Sequence, residues 1–173
     1  NSIGLDISVS DVAISSNIQF VNGIKTSDIQ QTLIKTANEK ASKENPDYAI
    51  LAGRMKVTDM RKSVYGGFKP IPFYEFIERN IKRKIYDPSI LDVYSKEDIE
   101  KVENHLDYNN DLQSGCASIT QLENKYLMRD IKTGELLENI QEIFMLIPMV
   151  IFANEKSRIK LIVEFYQALK NDE

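Results

Sequence analysis

The sequence predicts a mainly α-helical protein with one small β-hairpin. Three observations carry this prediction. Apolar residues recur at helical spacing in several separate windows. Residues suited to helix starts and stops bracket those windows. Only one short stretch, around Lys132-Thr133-Gly134, reads as a pair of strands joined by a turn. A chain of 173 residues with 42% apolar content can bury a real core. It suffices for one compact domain, or a domain plus a small lobe.

Ser8 or Ser10 is placed to cap a short helix running to about Phe20, with Val9, Val12 and Ile14 as its apolar members. Asn22-Gly23 signals a turn. Thr26 reads as an N-cap, with Asp28 complementing the helix dipole. The next helix carries Ile29, Leu33, Ile34, Ala37 and Ala41 as one stripe and ends in the polar run Ser42 to Asn45. A helix from Pro46 to Gly66 follows, since proline lacks an amide donor that the first turn does not use. Tyr48, Leu51, Ala52 and Met55 line one side of it, and Arg54, Lys56, Arg61 and Lys62 supply positive charge. Gly66-Gly67 with Pro70 and Pro72 marks a boundary between lobes 1–66 and 67–173.

Pro72 opens a helix whose buried face is Phe73, Phe76, Ile77 and Ile81. Tyr86-Asp87-Pro88 forms a turn, and Ile90 to Tyr94 a short helix. Ser95 to Asp98 has capping-box spacing ahead of Ile99, Val102 and Leu106. Asp107 to Ser114 reads as a solvated loop, and Ala117, Ile119, Leu122 and Tyr126 as a helix. Ile140 to Ala153 is apolar nearly all round, which predicts a buried central helix that Pro148 kinks or ends. Arg158 to Lys170 closes the set as an amphipathic helix.

Charged residues make up 28% of the chain and the net charge is −4. Lys and Arg alternate with Asp and Glu, which is not a nucleic-acid footprint. The longest apolar run, Ile143 to Phe152, is too short to span a bilayer. No signal-peptide pattern is read, so the expected compartment is the cytoplasm. One cysteine, Cys116, and one histidine, His105, leave little from which to build a disulfide, a His/Cys metal site or a Ser-His-Asp triad. Cys116 reads as a structural residue and His105 as a surface residue at a helix end. Asp107 and Asp111 read as solvated loop carboxylates. No catalytic or metal-ligating residue is expected.

Several stretches, in order, resemble one family. They are IQFVNGIKTSDI (residues 18–29), PDY-x2-LAGR with MRKSVYG (46–66), YDPSIL-x2-YSKEDI (86–99), QLENKYLMRD-x-KTGE (121–135) and NIQEIFMLIPMVIFA followed by FYQAL. Together they resemble the N-terminal portion of the large (alpha) subunit of class I ribonucleotide reductase. The resemblance implies the back half of an effector-binding ATP cone over 1–66, followed by an all-helical N-terminal domain over 67–173. It also implies that the chain stops where the family runs on into its catalytic barrel. The family serves deoxyribonucleotide synthesis for DNA replication. It replaces the ribose 2'-hydroxyl by hydrogen, using a thiyl radical and a reducing cysteine pair. With Cys116 alone, this chain is expected to be inactive by itself and to act with the barrel, in cis or in trans, and with the radical-generating small subunit. The alternative is a free-standing non-catalytic module that binds a reductase subunit or an adenine nucleotide.

The resemblance also assigns candidate effector contacts. Thr26 matches a cone threonine that touches the nucleotide, a role compatible with capping because exposed amides at a helix start bind phosphate. Lys62 matches a cone lysine that pairs with phosphate, and it reads equally as part of a solvated helix face. ATP or dATP is the implied effector. Gly53 stands where the family usually has Ala, and Thr58 and Asp59 where it is more often apolar or aromatic. Such changes imply a cone that has drifted from effector binding.

Overall fold

The computed structural model describes residues 4–18 and 22–171. In order, the α-helices are α1 (Val9–Ser15), α2 (Thr26–Glu39), α3 (Asp47–Tyr65), α4 (Phe73–Lys82), α5 (Ser89–Val93), α6 (Lys96–Glu103), α7 (Cys116–Tyr126), α8 (Ile140–Ile151) and α9 (Arg158–Lys170). A 3-10 turn, Asn110–Gln113, precedes α7. Two compact units form. One comprises Asn1–Phe68 with Asn109–Tyr126, and the other Lys69–Tyr108 with Leu127–Glu173.

In the first unit α1 begins where Ser8 Oγ accepts from the Asp11 amide at 3.2 Å. It ends at Ser15, just before Asn17 turns left-handed at φ 49°. The expected continuation to Phe20 falls outside the described residues. Only Val12 of the expected stripe is buried, and Val9 and Ile14 are exposed. Thr26 is not the cap of α2. The chain turns helical one residue earlier, so Lys25 is the N-cap and its carbonyl accepts from the Asp28 amide at 3.0 Å. The helix then buries Ile34 and Ala37, as its stripe requires.

The α3 helix is the longest and the most constrained. Pro46 is its N-cap rather than a first-turn residue. Gly66 closes it at φ 72° and donates its amide to the Lys62 carbonyl at 3.0 Å, a conformation that glycine adopts without strain. One flank packs on α2, where Gln30 Nε2 donates to the Met55 carbonyl at 3.1 Å. The 3-10 turn and α7 also pack on α3. At Gly53 the Ser114 carbonyl oxygen lies 2.1 Å from where a Cβ would stand. Arg54 Nε donates to the Leu112 carbonyl at 2.9 Å, and Lys56 pairs with Glu123 at 2.5 Å with both side chains largely buried. Val12, Ile34, Ala37, Leu51, Ala52 and Cys116 form the core of this unit.

In the second unit α4 buries Phe73, Phe76 and Ile77 as predicted, while Ile81 is only half-buried and the polar Asn80 is buried instead. Its first amide, that of Phe73, donates to Glu103 Oε1 at 3.0 Å. Ser95 Oγ accepts from the Asp98 amide at 3.1 Å to start α6, as the capping-box spacing predicts. The expected hairpin is reduced to one antiparallel bridge, Arg129 to Leu136. Asp130 N–H donates to Glu135 O and Leu137 N–H to Met128 O. The next rung would use the Met128 amide, but that amide donates to Glu138 Oε2 at 3.0 Å. A side chain has taken the place of a strand, so the pairing stops.

The α8 helix packs on α9, and α6 packs on both α4 and α9. Met145, Leu146, Pro148 and Met149 are buried. The expectation of a wholly buried α8 fails at its end, where Val150 is 70% and Ile151 57% exposed. Pro148 lies in the final turn, and the helix ends three residues beyond it. The segment expected to be a solvated loop contains the 3-10 turn, and Asp111 within it is buried by packing on α3.

Substitution Gly53→Ala forces the Ser114 carbonyl to move. It should destabilise the protein by about 1–3 kcal/mol, read as a lower urea midpoint with an unchanged slope. Lys56→Met removes the largely buried Lys56–Glu123 ion pair and should cost about 1–3 kcal/mol in the same assay.

Candidate functional site

Three polar constellations and one groove are the candidates. The first is at the start of α2 and the end of α3. Besides Gln30 to Met55, Gln31 Nε2 donates to Asp59 Oδ2 at 2.8 Å. Towards the other end, Lys40 lies over the Tyr48 ring at 5.8 Å. These contacts make α2 and α3 antiparallel, and their register puts Thr26 and Lys62 at the same end of the pair. Both side chains are exposed. Thr58 and Asp59, read from the sequence as signs of drift, have local partners: Thr58 Oγ1 donates to the Arg54 carbonyl, and Asp59 accepts from Gln31. Gly53 is explained by packing alone.

The second constellation ties α1 down. Asp11 Oδ2 accepts from Lys40 Nζ at 2.9 Å and from Tyr48 OH at 3.1 Å. The bond from Lys40, then that from Tyr48, hold the Asp11 carboxyl below its usual range. The bond to Asp11 raises Lys40 in turn.

The third lies in the second unit and was not legible as a site. Glu138, 1% exposed, accepts from Tyr86 OH at 2.6 Å through Oε1 and from the Met128 amide through Oε2. Burial, then the Glu138 charge, push the Tyr86 hydroxyl far above its usual range, so it remains a donor. Gln141 and Glu142 are also fully buried. Tyr166 donates to Gln141 Oε1 at 2.5 Å and accepts from the Asp107 amide at 2.9 Å. The sequence signal was available in ENIQE, where acidic and amide groups sit inside an apolar run.

Beside Tyr86 and Glu138 opens a groove of about 650 Å3 between α5 and α8. Its walls are largely aliphatic, among them Ile90, Val93, Ile147 and Val150. The charged residues lining it are Asp87 and Glu138.

The remaining sequence candidates are spread out. Cys116 is buried at the start of α7, with Sγ 3.9 Å from Thr120 Oγ1. His105 is exposed just beyond α6. Asp107 belongs to the second unit and pairs with Lys170 at 3.5 Å. Among the described residues no three His, Cys, Asp or Glu side chains are grouped to hold a metal ion, and no helix is long and apolar enough to cross a membrane.

Comparison with known proteins supplies what geometry alone does not. The family described as "Ribonucleotide reductase, all-alpha domain" matches residues 112–173. The chain is 37% identical over 168 residues to the ribonucleoside-diphosphate reductase subunit alpha of Haemophilus influenzae, covering 95% of this chain and 22% of that protein. It is 35% identical over 166 residues to the ribonucleoside-diphosphate reductase 1 subunit alpha of Escherichia coli, with the same two coverages. Over 149 residues it is 36% identical to the subunit alpha of Enterobacteria phage T4, covering 86% of this chain and 20% of that protein. The chain thus spans about a fifth of the length of the curated relatives it matches.

Two substitutions probe these constellations. Tyr86→Phe leaves a buried carboxylate oxygen without its donor and should destabilise the protein by about 1–3 kcal/mol in chemical unfolding. The Asp11 contribution is present above the ordinary aspartate pKa, about 3.9, and is lost as pH falls through the depressed folded-state value. Amide protection factors in α1, corrected for the intrinsic exchange rate, should therefore fall on acidification below about pH 4. The Asp11→Asn variant should lack that step.

Proposed function

The chain is related along nearly its whole length to the N-terminal portion of the class I ribonucleotide reductase large subunit, and from that relationship we propose that it is a structural and regulatory portion of a ribonucleoside-diphosphate reductase. The observation that carries this reading is the identity of 37% over 95% of the chain. The chemistry is the reduction of ribonucleotides to deoxyribonucleotides. It needs a radical-bearing thiol and a reducing cysteine pair in one pocket. This chain offers Cys116 alone, buried at a helix start. The reacting cysteines therefore belong to a barrel that works with this chain in cis or in trans, and the radical comes from the small subunit. The compartment proposed is the cytoplasm. The functional division proposed follows the sequence, with a cone-like lobe at 1–66 and a helical domain at 67–173.

A second role within this reading is adenine-nucleotide sensing. Thr26 and Lys62 stand exposed at one end of the α2–α3 pair, where a hydroxyl, a cation and the positive end of α2 would face a triphosphate. Asp28, in the first turn of α2, opposes that field and makes the site a weak one.

Mixing the chain with the cysteine-bearing barrel polypeptide and the small subunit should raise reductase activity above that of the barrel and small subunit alone. No gain would count against the structural role. Calorimetry of the chain with ATP and dATP should show saturable binding, weakened about tenfold by Lys62→Ala, the loss of one charge-assisted contact. Absence of heat would remove the sensing role and leave the structural one.

A further inference from the structure

We propose that the groove between α5 and α8 receives an apolar segment carrying one basic residue, supplied by the remainder of the large subunit. This inference rests on the function proposed above and names the surface through which it operates. Four observations converge on it.

Three of the exposed apolar residues of this unit are grouped, whereas Ile131, 102% exposed, lies outside the group. Val150 and Ile151 are 70% and 57% exposed, Met128 is 43% exposed, and all three line the one groove. Apolar area held open to water in a concave, aliphatic surface marks a contact site.

The groove is also held in shape by bonds across its floor. Tyr94 OH donates to the Met149 carbonyl at 2.6 Å, joining the residue after α5 to α8. Tyr86 OH reaches Glu138 just ahead of α8. A segment entering it meets walls already in place, which lowers the entropy cost of association.

The charge is one-sided. The charged lining groups, Asp87 and Glu138, are both carboxylates, and both belong with the Tyr86 end. Hydrogen bonds from the Ser89 side chain and then from its amide, which donates to Asp87 Oδ1 at 2.8 Å, hold the Asp87 carboxyl below the usual range. Glu138 is 1% exposed and accepts one bond on each oxygen, from Tyr86 OH and the Met128 amide. Such a lining repels phosphate and attracts Lys or Arg, so an occupant with an apolar body and a basic residue fits, and a nucleotide does not.

Finally, the relatives supply a source for that segment. About four fifths of their length lies beyond the part that this chain matches. The groove offers that remainder an apolar, charge-complementary surface.

The test uses the full 173-residue chain and the cysteine-bearing remainder of its own large subunit, with association followed by sedimentation. The wild-type pair should associate. The double substitution Val150→Glu with Ile151→Glu should weaken association at least tenfold, and Asp87→Lys several-fold with a reduced salt dependence. These side chains are exposed, so the helical signal and the urea midpoint of each variant should stay near wild type and exclude unfolding as the cause. Wild-type association that none of these substitutions alters would overturn the groove inference and leave the proposed function standing. No association of the wild-type pair, with both partners folded, would overturn both.

Discussion

At Gly53 the first unit brings a carbonyl oxygen to within 2.1 Å of where any other residue would carry its Cβ. Much of that unit follows from this close approach. It lets the 3-10 turn and α7 lie against α3, where Arg54 and Lys56 can reach the Leu112 carbonyl and Glu123. It also brings a segment 56 residues or more downstream into the same core as α1 and α2, through Cys116. A methyl group at position 53 would separate the surfaces on which all of those contacts depend. The glycine that resembles a family departure is therefore a packing requirement.

The second unit is governed by a different constraint. Its central helix, α8, begins among buried polar side chains: Glu138, Asn139, Gln141 and Glu142. Burying such groups is favourable only where partners meet them. Tyr86 and the Met128 amide serve Glu138, and Tyr166 serves Gln141. These bonds fix the direction in which α8 leaves its start. The same bond from Met128 ends the hairpin after one bridge, so a single carboxylate both anchors a helix and limits a sheet.

Under the function proposed above, this portion would be held beside chemistry performed elsewhere. In the second unit, a polar-anchored helix leaves an apolar groove open at its end, the surface proposed above for docking. The exposed Thr26 and Lys62 pair belongs to the first unit. Under that same proposal, support and sensing would fall to different compact units of the chain.

By itself the sequence determined the helices, because their signals are local. Stripes at helical spacing, the Ser8 and Ser95 caps and the Gly66 stop each act within one or two turns. It also carried the family resemblance, since ordered motifs need no coordinates. Tertiary structure alone decided which residues those elements bring together. That α7 joins the unit of α3, that Asp111 is buried, that the hairpin stops at one bridge and that Val150 and Ile151 remain open all depend on partners distant in sequence. The cap of α2 moved by one residue to Lys25, a shift too small for propensity to resolve. The α5–α8 groove was invisible for the same reason as the contacts that shape it. Local preferences say that a helix forms and which face is apolar, whereas the distance between two helices is set by the side chains that bridge them.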